Sequence, residues 1–426
     1  MEIVRVPKRR AFGLASAGLL GLCLPAAAPA GTPGWLAPDT VSGTIDLRLT
    51  GADDEPSWTD GGFGKARFGG ARDGDLRLRP ALAEAELVWR PPLGWDLTGT
   101  LAVAAQHEQD YPIDLIEAFV AWKPVPRGPT RLSARAGLMW PPVSLEQEGP
   151  AWAVTDMITP SAINSWIGEE VKPVALEGTV SRPFGGQRVS ATLAVFGVND
   201  TAGTLLAFRG WAMHDLKAGA FGRQPLPPLN DFMLLAQAPA TRPAIELDDR
   251  PGFYGKLAWS PAAPLLIEAF YYANRGDPEA VTPTLQWGWN TRFVHVGLRA
   301  DLGAHTRLLA QALAGTTEMG VEENEHYWVE TRYRAAYLRA THEMGGLALS
   351  GRLDLFGTSE RGSQMSREES ESGWALTGAG RLHLSDEAAL LVEGLHIDSR
   401  RAARGRAGLG ANQEQNVVQL ALRLTL

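Results

Sequence analysis

Val417-Val-Gln-Leu-Ala-Leu-Arg-Leu-Thr-Leu426 decides the fold. On an extended chain Val418, Leu420, Leu422, Leu424 and Leu426 fall on one face, and Val417, Gln419, Ala421, Arg423 and Thr425 on the other. A period of two held over ten residues marks a strand, because a helix would scatter those leucines around its axis. A strand apolar on one face and polar on the other separates two solvents. Thr44-Ile-Asp-Leu-Arg-Leu49 repeats the pattern, with Ile45, Leu47 and Leu49 opposite Thr44, Asp46 and Arg48.

Working outward, alternating segments occur near 41–50, 80–90, 95–107, 113–123, 130–140, 173–182, 187–198, 250–260, 263–274, 291–302, 305–316, 327–341, 345–357, 372–384, 387–398 and 414–426. That makes about sixteen strands, an even number. Their connectors alternate between short turns rich in Pro, Gly or Asp and mostly longer polar stretches at 51–79, 108–112, 141–172, 199–249, 275–290, 317–326, 358–371 and 399–413. Ten residues rising ~3.3 Å each and tilted ~45° cover about 23 Å, close to the ~25 Å apolar band of an outer-membrane barrel. Beyond residue 30 no uncharged apolar stretch approaches helix-spanning length, so a membrane form must be a closed barrel. The fold expected is all-β: a transmembrane antiparallel β-barrel of about sixteen strands with an inward-folded third loop.

The first thirty residues read as an export signal. Arg5, Lys8, Arg9 and Arg10 precede an uncharged run from Ala11 to Leu24, and Ala28-x-Ala30 supplies a cleavage site. Removing residues 1–30 takes away four basic residues and Glu2, moving the formal net charge from −8 to −11. An acidic chain of this kind is no partner for nucleic acid. The single cysteine, Cys23, lies inside the signal, so the mature chain 31–426 is expected to form one barrel domain with no disulfide, no cysteine-metal site and no cofactor.

Charge placement supports the barrel, because an arginine facing mid-bilayer lipid costs ~2–4 kcal/mol. In the registers above, Arg48, Arg135, Arg299, Arg332, Arg352, Arg381 and Arg423 fall on the polar face, as do acids such as Asp46, Glu84, Glu86, Glu177, Asp354 and Glu393. The lumen is therefore expected to be wet and of mixed charge. Trp89, Trp95, Trp122 and Trp259 sit beside short turns, where an interfacial girdle would lie.

The third long connector begins Gly137-Leu-Met-Trp-Pro-Pro-Val-Ser-Leu-Glu146. Gly137, Pro141-Pro142 and Ser144-Leu145-Glu146 leaving a strand resemble the phosphate-selective porin O and P family of outer-membrane channels. The resemblance implies a sixteen-stranded barrel, a third loop at 141–172 that narrows the pore, passage of phosphate or other anionic solutes, and a homotrimer. The loop's own residues agree on the constriction: Trp140, Trp152, Ile158, Ile163 and Trp166 are too apolar for a surface flap. Its charges, Glu146, Glu148, Asp156, Glu169, Glu170 and Lys172, are the pore-lining candidates, facing wall arginines across a narrow passage. Phosphate-selective members draw anions with lysines and arginines, whereas this loop is mainly acidic. The partners expected are outer-membrane lipid and lipopolysaccharide and small hydrophilic or anionic solutes.

Two other classes fit parts of the sequence. An outer-membrane enzyme would need a nucleophile or metal motif, but the chain has no Gly-x-Ser-x-Gly, His-Glu-x-x-His or phosphate-binding glycine loop, and its eight histidines are scattered singly. No catalytic residue is therefore assigned. A secreted soluble β-rich binding protein would explain the signal and the strands, but not the alternation of connector lengths or the apolar face on nearly every strand. Heat-modifiable migration on a gel separates it from a barrel.

Overall fold

A computed structural model describes residues 34–71, 74–147, 151–261 and 264–426. The expected signal at 1–30 and the candidate Glu148 lie outside the described residues. Sixteen strands form the wall: β1 Val41–Asp54, β2 Gly74–Trp89, β3 Leu97–Gln106, β4 Asp114–Trp122, β5 Arg131–Leu138, β6 Val174–Phe184, β7 Gln187–Gly197 and β8 Gly252–Ser260 make the first half. The second half is β9 Leu265–Ala273, β10 Asn290–Leu302, β11 Thr306–Glu323, β12 His326–Met344, β13 Leu347–Glu360, β14 Glu371–His383, β15 Ala388–Arg401 and β16 Asn412–Thr425. Each pairs antiparallel with the next, and β1 closes on β16.

Closure uses the stretch with which the sequence was opened. Ile45 pairs with Leu424, Leu47 with Leu422 and Leu49 with Leu420, so both strands turn the same apolar face outward. The burial pattern is that of a protein turned inside out. Leu47, Leu49, Val296 and Leu355 are 44%, 44%, 56% and 54% exposed, whereas Arg352, Asp354 and Glu393 inside the wall are each 1% exposed. A continuous apolar outer surface of this kind belongs in lipid. Among the described residues no helix is long and apolar enough to cross a membrane, and the strands do the crossing.

Strand ends depart from the sequence reading in two places: β1 and β2 run into the expected connector 51–79, to Asp54 and from Gly74, and β11 and β12 run into the connector between them. The expected connector 317–326 is mostly strand, because β11 and β12 continue to a two-residue turn at Asn324 and Glu325. Both residues have positive φ, 53° and 69°, as a type I′ hairpin requires. Polar residues there signalled a loop because a strand that rises past the bilayer has water on its outer face.

Three loops at the long-connector end turn inward: L1 (described over 55–71), L3 (described over 139–147 and 151–173) and L4 (198–251). L3 carries α1, Ala162–Glu170, and L4 carries α2, Thr204–Phe208. The first part of L4 lies inside the barrel, where Leu205, Leu206, Trp211 and Met213 are buried.

Candidate functional site: the loop-filled lumen

The chain turns into the lumen at Gly137. Its φ is +137°, and a Cβ there would stand 2.2 Å from the Ala118 carbonyl oxygen, so only glycine fits. Beyond Pro141 and Pro142, the Ser144 hydroxyl accepts from the Glu146 and Gln147 amides at 3.0 and 3.3 Å. Ser161 then caps α1 by accepting from the Asn164 amide. All nine residues of α1 are buried.

L3 is fastened to the opposite wall by charge-assisted hydrogen bonds. Arg352 of β13 donates to the Thr159 and Pro160 carbonyls at 2.6 and 2.9 Å and to Asp354 at 2.7 Å. Glu393 of β15 accepts from the Ile158 amide at 2.7 Å and the Thr159 amide at 3.1 Å. Asp354 accepts from the Ala162 amide at 3.0 Å. These groups take up the backbone donors and acceptors of an irregular segment that would otherwise be buried without partners.

Each candidate charge of L3 can now be placed. Glu146 accepts from the Ser161 amide and the Asn164 side chain at 2.9 and 2.7 Å and lies 3.4 Å from Arg352. Burial alone would raise its carboxyl, but Arg352 and Arg339 hold it below the usual range. Asp156 bridges Arg339 at 2.9 Å and Arg381 at 3.2 Å. Glu169, Glu170 and Lys172 are each 0% exposed. They face protein, so the expectation that these three line the passage gives way to a structural one: they join L3 to L4 and the wall. Glu169 meets Arg209 at 2.9 Å and His214 at 2.7 Å. Burial opposes its ionisation, yet Arg209 and His214 hold the carboxyl down to about 2. Glu170 has no cation beside it; it accepts from the Trp166 indole and the Leu205 amide at 2.7 and 3.0 Å, and burial pushes it up to about 7. Lys172 donates to the Ile116 and Ala218 carbonyls and lies over the Trp140 ring at 4.7 Å, and burial pulls its ammonium down to about 7.

The wall arginines divide. Arg135 is bidentate on Glu177 at 2.8 and 2.9 Å, Arg299 pairs with Asp301 at 3.4 Å, and Arg423 reaches the Val154 carbonyl at 2.8 Å and Asp46 at 3.2 Å. These three, with Arg352 and Arg381, stand on the lumen side. Arg332 does not. On β12 the buried side chains are Thr331, Tyr333, Tyr337 and Arg339, which puts Arg332 with Arg334 and Leu338 on the outer face. The register was misread because the inward residues there are aromatic and the outward ones, at the watery end of a tall strand, are charged.

The sequence reading also missed the aromatic half of the lumen. Trp166 of α1 packs edge-on against Trp211, Phe293 and Tyr333, and Phe196, Tyr272 and Phe293 stack in turn at 5.0 Å. On the β7 to β12 side these rings form a packed core inside the wall. L4 crosses to the other side, where Asp215 bridges Arg48 at 2.8 Å and Arg67 at 3.0 Å, and Lys217 meets Glu86 at 2.7 Å. Burial would raise the Asp215 carboxyl, but the two arginines hold it well below the usual range. The signal for L4 was present: Leu205-Leu206-Ala-Phe208 and Trp211-Ala-Met213 are as apolar as the residues that sent L3 inward.

Open space remains in two cavities between these loops and the wall. One, of about 390 Å³, is lined by Asp46, Glu84, Glu86, Asp215, Lys217 and Arg423 over a floor of Trp152, Val154 and Ile158. The other, of about 350 Å³, is lined by Glu117, Arg135, Trp140, Lys256 and the two prolines. Arg90 and Trp152 line both. Trp152 is held at φ +61° by stacking on Trp140 at 5.3 Å and by its indole donating to the Asn164 carbonyl at 3.0 Å. A bulky residue at positive φ is uncommon enough to mark this junction.

The chain matches no protein-family model and no curated protein sequence. Its fold does match solved barrels. The outer membrane channel DcaP of Acinetobacter baumannii superposes with a TM-score of 0.53 at 11% identity, covering 91% of this chain and 97% of that one. An anion-selective porin from Comamonas acidovorans gives 0.50 at 12% identity, covering 91% and 99%. At these identities the likeness is one of fold: a closed sixteen-stranded β-barrel of the kind outer-membrane channels use.

Proposed function

We propose that this protein is a bacterial outer-membrane porin, a passive diffusion channel for small hydrophilic solutes, exported by cleavage of residues 1–30 and seated with its short turns in the periplasm. The observation that carries this reading is the pairing of a leucine-studded outer wall with charged cavities between that wall and an inward loop. A soluble binding protein has no use for the first, and the second puts charged groups inside the wall, as an aqueous route for solute requires. The lumen groups left to line that route are Asp46, Glu84, Glu86, Asp215 and Glu117 against Arg90, Arg135, Lys217, Lys256 and Arg423. Acids and bases balance, which suits a channel that sorts solutes by dipole and size more than by net charge.

The finer reading, passage of phosphate or other anions, rests on Arg90 in the 350 Å³ cavity, because the other two cations there, Arg135 and Lys256, are already paired with Glu177 at 2.8 Å and Glu268 at 2.6 Å. Arg90 has no ion-pair partner among the described residues, and a free guanidinium suits a phosphate or carboxylate. Swelling of proteoliposomes in sugars of graded size tests passage. The reversal potential in a salt gradient tests sign: a shift toward anions that Arg90→Glu reverses supports the finer reading, and cation preference in the parent protein rejects it. The homotrimer that the resemblance implies belongs to the same proposal, and a monomer by native mass measurement ends it.

A further inference from the structure

We propose that the outer face of β12 and β13, at their loop end, holds a phosphate-bearing lipid headgroup of the outer leaflet. Four arginines lie at this end of the two strands and in the loop that follows β13. Arg332 and Arg334 stand two residues apart on the outward face of β12, and Arg332 pairs across the sheet with Ser359 of β13. Ser359 in turn lines a hollow of about 500 Å³ with His326, Arg361, Arg367 and Ser370. All four guanidinium groups are exposed, and none has an ion-pair or hydrogen-bond partner for its side chain among the described residues. That contrasts with the lumen, where Arg48, Arg135, Arg339, Arg352, Arg381 and Arg401 are each paired with an acid.

The acids nearest the arginines on the sheet are turned to other partners. Glu330 pairs with His326 at 2.7 Å, and Glu318 takes Arg292 at 3.4 Å and Asn290 at 2.9 Å. Glu360, in the hollow, is taken up by the Glu330, Arg361 and Gly362 amides and by Thr331. Glu368 beside Arg367, and Glu322 and Glu325 at the tip of the β11–β12 hairpin, are exposed acids without a partner among the described residues, and they lie on the loop side of Arg332 and Arg334.

Position supplies the occupant. Leu338 on β12 and Leu353 and Leu355 on β13 form the outward apolar band just toward the turn end from these arginines. An arginine buried in that band would cost ~2–4 kcal/mol, whereas one step above it lies at headgroup depth, where the cost falls to about zero to one. At that depth in an outer leaflet the abundant anion is a phosphomonoester on a glycolipid. Guanidinium forks bind such phosphates bidentately.

The test uses the detergent-purified full chain and two probes, lipid A carrying both phosphates and its monophosphorylated form, with retained lipid read by native mass spectrometry. The parent protein should retain the bisphosphorylated lipid preferentially. Neutralising the cluster (Arg332→Gln, Arg334→Gln, Arg361→Gln, Arg367→Gln together) should lower retention about tenfold. The four-lysine variant should keep most of it, and heat-modifiable migration checks that each variant folds. Equal retention by the parent and the neutralised variant overturns the proposal. So does displacement of the lipid by millimolar inorganic phosphate, which would make this a site for soluble phosphate.

Discussion

Replacing Arg352 with alanine should unfasten the inward loop L3. Arg352 is 1% exposed and holds Thr159, Pro160, Asp354 and Glu146 at once. Its loss leaves Asp354 without its cation and Glu146 with Arg339 alone, and breaking a buried pair costs ~3–5 kcal/mol. Because each 1.4 kcal/mol is a factor of ten, the balance between docked and released L3 moves by about a hundred- to several-thousand-fold. Glu393 still accepts from Ile158 and Thr159, so the loop should sample a released state and not leave for good. Single-channel recordings should show larger, noisier openings, and Arg352→Lys, which keeps the charge without the fork, should lie between. A conductance histogram identical to the parent's would refute the reasoning, since it would mean that L3 neither moves with this anchor nor limits the current.

Other expectations follow from the same geometry. Gly137→Ala forces an L-residue to φ +137° with its Cβ on the Ala118 carbonyl, a strain of ~1–3 kcal/mol from backbone conformation alone; the yield of heat-modifiable barrel should fall, and undiminished yield would show that the chain turns elsewhere. Trp152→Ala removes the wall common to both cavities and should raise conductance, whereas a drop would mean that Trp152 supports L3 without obstructing the path. Glu170 titrates near 7 because it is buried without a cation. A carboxyl whose folded pKa is raised binds its proton more tightly folded than unfolded, so its contribution is present below about pH 4 and is lost as pH rises to about 7. Melting temperature should therefore decline over that interval by an increment that Glu170→Gln abolishes.

Much of the fold was legible because the two solvents of a barrel wall impose a period of two wherever the wall crosses lipid. Val417–Leu426 and Thr44–Leu49 could be read to the residue, and the structure pairs them. Legibility fails where that contrast fails. Beyond the bilayer both faces of β12 meet polar surroundings or packed loops, so Arg332 looked like a lumen residue although Arg339, seven residues further along the strand, is the one that faces inward. Inside, Trp166 and Tyr333 make an apolar core whose partners are brought together by closure of the barrel, over sequence separations no local pattern records. For the constriction, the inward path of L3 was visible in its tryptophans and prolines. Which of its charges are sealed in was not, because that depends on L4, whose Arg209 and His214 cover Glu169.

Conductance of the refolded mature protein in a planar bilayer tests the central claim most directly. The account predicts discrete steps of uniform size that persist at neutral pH. A bilayer that holds folded, heat-modifiable protein and shows no steps over the same voltage range would contradict it, leaving a barrel whose three inward loops seal it.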